Sequence, residues 1–172
     1  MKHFVRVVAV CASIVVPAAA QTAGGWVCFG ARCPGSDGFA PSLGVSGSPT
    51  PGFEFRIVVG DALPGAPGVL LFGLGTEASP LLGCTLNISQ LLPLTLPFVI
   101  GEAPDVRGTW SVKVDTPDAM PALTLQAFVA DAAAPAGVSS TNGVGLIPGD
   151  PVEGNPGPGG GDFPVDPWTS VE

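Results

Sequence analysis

The clearest pattern in the chain lies between Phe53 and Val59. Phe53, Phe55, Ile57 and Val59 fall on one face and Glu54 and Arg56 on the other, the period-two spacing of a half-buried strand. Gly108 to Asp115 repeats it, with Trp110, Val112 and Val114 set against Ser111, Lys113 and Asp115. Leu123 to Val129 alternates Leu123, Leu125, Ala127 and Val129 against Thr124, Gln126 and Phe128. Val69 to Leu74 is a continuous apolar run, which predicts a central strand buried on both sides. Shorter strands are predicted over Leu43–Ser48, Gly83–Ser89 and Val138–Ile147. Leu91 to Ile100 carries Pro93 and Pro97. Proline cannot donate to a ladder, so this stretch reads as an edge strand or irregular chain. Gly24–Ser42, Gly60–Pro67 and Ala130–Gly137 read as turns and loops rich in glycine and proline.

No long 3.6-residue stripe is present. Roughly seven or eight short strands with turn signals every ~10–15 residues predict an all-β fold, an antiparallel β-sandwich or jelly roll. Composition agrees. Glycine (25) and proline (20) are abundant, yet 46% of residues are hydrophobic, too many for a chain unable to offset its own entropy. Many turns between short apolar strands account for both.

The two ends differ from the middle. Lys2, His3 and Arg6 accompany an apolar run from Val5 to Val16, followed by Pro17 and Ala18-Ala19-Ala20. Residues 1–20 therefore read as a secretory signal peptide cleaved after Ala20. The run is only about 12 residues, short of the ~20 needed to span a bilayer. Cys11 follows the bulky Val10 in mid-run, which argues against a lipid-attached cysteine. Residues 21–147 form the expected β-sandwich domain. Residues 148–172 read as a flexible, acidic Gly/Pro-rich tail ending in Phe163-Pro-Val-Asp-Pro-Trp168.

Cleavage changes the available chemistry. The single histidine, His3, leaves with the leader. Four basic residues remain (Arg32, Arg56, Arg107 and Lys113) against fourteen acidic ones, moving the net charge from −8 to about −10. Such a chain repels nucleic acid and anionic membrane surfaces, whose binding needs phosphate-neutralising cations. Serine- or cysteine-based hydrolysis needs a base, and the shortened chain has no histidine or tyrosine. Lys113 lies on a polar strand face, where solvation is the expected role. Paired carboxylates for glycoside hydrolysis can be drawn from Glu54, Glu102, Asp105 and Asp115, but fourteen acids make some pairing inevitable. No cofactor is expected. Calcium at the loop acids Asp61, Asp105 or Asp131 is conceivable, though no Asp-x-Asp loop supports it, and a metal held by three cysteines without histidine is not expected in an exported protein. Asn87-Ile-Ser89 matches a glycosylation sequon but falls within a strand. Trp26 and Trp110 are the candidate sugar-stacking aromatics, with Trp110 on the apolar face of its strand and better suited to packing.

Three cysteines survive cleavage, Cys28, Cys33 and Cys84, so one stays unpaired or pairs between chains. In the chain-entropy model a Cys33–Cys84 bridge is worth about 4 kcal/mol and Cys28–Cys33 about 2 kcal/mol. The longer closure is favoured because it ties the opening segment to a core strand; proximity favours the shorter one.

A string of short motifs runs through the chain. Cys33-Pro-Gly-Ser-Asp-Gly38, Pro41-Ser-Leu43 and Gly47-Ser-Pro-Thr-Pro-Gly52 come first. Leu70-Leu-Phe-Gly73, Gly83-Cys-Thr-Leu86, Leu125-Gln-Ala-Phe-Val-Ala-Asp131 and Ser139-Ser-Thr-Asn-Gly143 follow. In this order they resemble a family of small secreted bacterial domains with the pattern G-C-x-G, P-x-L, G-x-P-x-x-G, G-C-x-L, L-Q-x-x-x-x-D, S-N-G. The resemblance covers about residues 30–147. It departs at Ala31-Arg32, where the pattern has glycine before Cys33, and in the extra Cys28. It implies a β-sandwich and brings no established activity, hence no catalytic residues.

These readings point to an exported, non-catalytic structural or interaction protein of the envelope or extracellular space. It is expected to partner itself or other envelope proteins through sheet edges, with Trp26-Val-Cys-Phe29 as a strand that can be donated. A carbohydrate-binding module using Trp26 is the alternative, and a secreted hydrolase the third. Phe163 and Trp168 are expected to pack back on the domain or stay loose, or, on a sharper reading, to dock into a partner's pocket.

Overall fold

A computed structural model describes residues 24–101 and 107–150. The expected leader (1–20), Glu102, Asp105 and most of the tail, including Phe163 and Trp168, lie outside the described residues.

The chain is all-β. A six-stranded antiparallel sheet has the order β1 (Gly25–Phe29), β11 (Gly143–Ile147), β9 (Leu123–Ala130), β4 (Pro67–Gly73), β7 (Thr95–Val99), with β10 (Val138–Ser140) also pairing with β9. A three-stranded sheet of β2 (Ser42–Gly47), β3 (Glu54–Ala62) and β8 (Gly108–Asp115) packs against one face of it. A hairpin of β5 (Gly75–Leu81) and β6 (Cys84–Ser89) lies against the other face over β9. Among the described residues there are eleven strands, where seven or eight are expected.

The core fills the space between the two larger sheets. Phe55, Ile57 and Val59 of β3 and Leu43 and Val45 of β2 meet Leu70, Leu125, Ala127, Val129, Val144 and Leu146 of the large sheet. Each large side chain so buried contributes ~1.5–3 kcal/mol relative to exposure. Trp110 packs against this core, its ring stacked on Phe98 at 4.5 Å and 20°. Phe98 in turn lies over Gly68, where a methyl group would come within 2.5 Å of its ring.

Four expectations need correction. Gly24–Ser42 contains a strand: Gly25–Phe29 pairs with β11 along its whole length. Its Trp-Val-Cys-Phe run is apolar on both faces, so it lacks the period-two alternation that marks β3 and β8. β3 continues past Val59 to Ala62 through a register shift, with Asp61 at φ 55°. The predicted strand over Val138–Ile147 is two strands, separated at Thr141 and Asn142. Finally, the strand buried on both faces is β9, not β4. β4 keeps Leu70 buried but leaves Val69 and Leu71 half-exposed, whereas every residue of β9 from Thr124 to Val129 is buried.

Candidate functional site

The motifs around Cys33, Cys84, Asp131 and Ser139–Gly143 meet at one end of the sandwich, while Gly47–Gly52 lies at the other. Cys33 and Cys84 form a disulfide, Cα atoms 5.4 Å apart and 51 residues apart in sequence. It fastens the opening segment to the first residue of β6. Cys33 also bridges Ser140, donating to its carbonyl at 2.8 Å.

Beside the disulfide lies a buried polar network. Gln126 of β9 is fully buried. Its Oε1 accepts from the Asn87 amide at 2.7 Å, and its Nε2 donates to the carbonyls of Thr85 and Thr141, both at 2.9 Å. Thr141 Oγ1 accepts from the Ala127 amide at 3.0 Å. Asn87 turns its side chain to Ala31: Nδ2 donates to the carbonyl at 2.8 Å and Oδ1 accepts from the amide at 3.3 Å. Gly30 (φ 73°) sits against that side chain, where any Cβ would collide. Asn142 repeats the device on β2, with Leu43 N donating to Oδ1 at 3.0 Å and Nδ2 donating to the Leu43 carbonyl at 2.9 Å. Each asparagine thus satisfies both backbone groups of one residue, as a neighbouring strand would.

Asp131, buried at the end of β9, completes the cluster. Its carboxylate accepts from Ser36 N at 2.7 Å, Ser36 Oγ at 2.6 Å and Ala133 N at 3.1 Å. A side chain at Gly35 would run into that carboxylate, so this motif position requires glycine. Burial alone would raise the Asp131 pKa. The hydrogen bonds from Ser36 and Ala133 and the charge of Arg107 outweigh it and hold the carboxyl below its ordinary value. Arg107 itself lies over the Phe39 ring.

These polar groups point at one another and at backbone, so their chemistry is to hold segments together. The remaining candidates are scattered. Glu54 and Asp115 stand opposite each other on the solvent face of β3 and β8, and Glu54 pairs with Lys113 at 2.7 Å, both exposed. Asp61 accepts from Ser42 Oγ at 3.2 Å. Asp61 and Asp131 are not brought together, and among the described residues no three acidic, thiol or imidazole groups gather. Asn87 of the sequon is 1% exposed. Trp26 and Trp110 sit at opposite margins of the sandwich and share no platform.

The outer strands of the two larger sheets, β1, β7, β2 and β8, differ sharply. β7 carries Pro97. β8 carries Lys113 and Asp115. The free side of β2 is occupied at Leu43 by Asn142, with Cys28 Sγ 3.8 Å from the same carbonyl. Charge, proline and covering groups are the usual guards of an exposed margin. β1, Gly-Trp-Val-Cys-Phe, has none of them. Among the described residues it pairs only with β11, and it exposes Trp26 (44%), Val27 (51%) and the free thiol of Cys28. Its neighbour Ile147 is also exposed.

Among the described residues no helix is long and apolar enough to cross a membrane, a statement that does not bear on strands. No protein-family model, curated protein or solved structure matches the chain.

Proposed function

We propose that this chain is an exported, non-catalytic structural or interaction protein that associates by strand pairing at the margin of β1. Its first partner is a second copy of itself. The observation that carries this reading is the unguarded margin of β1, where the other outer strands of the two larger sheets, β7, β8 and β2, carry proline, charge or a covering side chain. A row of backbone donors and acceptors that have no strand partner among the described residues, flanked by Trp26 and Val27, is a template for a further strand. The signal-like N-terminus and the disulfide favour an oxidising compartment outside the cytoplasm. The ordered motif string favours membership of the small secreted β-sandwich domains it resembles.

Light scattering coupled to size exclusion on residues 21–172 tests the reading. Mass above the monomer should grow with concentration, and Val27→Lys should return the protein to monomer without lowering its melting temperature. A wild-type protein that stays monomeric at high concentration contradicts it. A second reading, a glycan-binding module, is favoured by the exposure of Trp26. Binding on a glycan array that Trp26→Ala abolishes would decide for it.

A further inference from the structure

The outer face of the six-stranded sheet is covered unevenly. The β5–β6 hairpin lies over β9, while Val69 and Leu71 of β4 and Pro97 and Val99 of β7 are left beside it, Val99 61% exposed. A groove of about 390 Å³ runs between this surface and the hairpin tip. Pro67, Val69, Leu71, Leu81, Leu82 and Phe128 line it, and no lining residue is charged or carries a polar side chain. That volume sits at the low end of the ~300–1,000 Å³ typical of ligand sites, room for a few side chains.

The hairpin tip is built unusually. Leu81 pairs with Cys84 across a two-residue turn in which Leu82 (φ 52°) and Gly83 (φ 76°) are both left-handed. Asn or Asp is the ordinary first residue of such a turn. A leucine there is strained, and it sets a large apolar side chain, half-exposed, at the lip of the groove.

We propose that the groove is the docking site of this chain's own C-terminal segment, Phe163-Pro-Val-Asp-Pro-Trp168. The chain leaves the fold at Gly149, which donates to the Pro49 carbonyl beside Gly24. That is the Leu123 end of β9, and the groove is at its Ala130 end. The eight residues of β9 span about 26 Å. Residues 151–162 supply a Gly/Pro-rich tether that reaches about 40 Å extended and averages about 20 Å as a coil. The segment beyond holds the only aromatic residues after Phe128, and its one charge, Asp166, can stay at the rim. Pro164 and Pro167 restrict it beforehand, which lowers the entropy lost on docking. Tethering adds an effective concentration in the millimolar range.

The test uses residues 21–172 with labelled leucine and valine methyls. The Trp168 indole should show nuclear Overhauser contacts to Leu71 and Leu82 that persist on dilution. Phe163→Ala with Trp168→Ala should abolish them and tighten binding of an apolar naphthalene dye. If the tail fills the groove three-quarters of the time, the gain is about fourfold, since only the empty fraction binds. Leu82→Asp should also remove the contacts. Absent contacts, equal dye binding in both proteins, or contacts arising only between differently labelled molecules would overturn the assignment. Val27→Lys leaves the groove intact, so these outcomes are separate from pairing at β1.

Discussion

Asp131 carries an energetic argument that can be followed with pH. Its carboxyl is held below its ordinary value when folded, so the unfolded chain takes up the proton first as pH falls. The resulting stability is fully present above the unfolded value of ~3.9 and is lost as pH drops through the folded one. Asp131→Asn keeps the shape, removes the charge-assisted bonds and turns an amide donor toward the Ser36 donors. We expect a loss of about 2 kcal/mol at pH 7. Urea unfolding at pH 7 and pH 3 checks it: the gap between wild type and variant should narrow in acid, and an equal gap at both values contradicts the argument. Residues of this kind were only half legible from sequence. Alternation placed Thr124, Gln126 and Phe128 on a common face correctly, but it could not say that a hairpin covers that face. Asn87 and Asn142 satisfy backbone 56 and 99 residues away in sequence, and no local pattern encodes such partners.

Among elements, the strands that face one core and one solvent layer were the readable ones. β3 and β8 carry alternation because their polar faces meet water. β5 was missed because Gly-Thr-Glu-Ala-Ser-Pro-Leu offers neither alternation nor an apolar run; it is held by β6 and by Thr124 Oγ1, which donates to the Gly75 carbonyl at 2.9 Å. The run Val69–Leu74 reads as doubly buried from composition alone, yet its outer face is the floor of the groove. Runs of apolar residues report a preference for burial and not what is available to bury them. The disulfide also belongs to this scale, since it ties the opening segment to the hairpin. Replacing Cys33 and Cys84 together by serine should cost about 4 kcal/mol, the denatured-chain entropy of the closure. Against a typical total of ~5–15 kcal/mol, that should lower the denaturant midpoint markedly. A midpoint unchanged within error would show that the polar network holds the hairpin without it.

The described residues form a sandwich whose buried polar groups hold its own segments together, and the proposed function places a further strand at the margin of β1. On that proposal the acidic excess of the sequence opposes contact between copies in general, so pairing has to come from geometry at a defined place. Hydrogen exchange, followed residue by residue over a range of protein concentrations, tests this most directly. Amides of Gly25–Phe29 should exchange more slowly as concentration rises, while those of β8, guarded by Lys113 and Asp115, keep their rates. Rates in β1 that stay the same at every concentration would contradict the account.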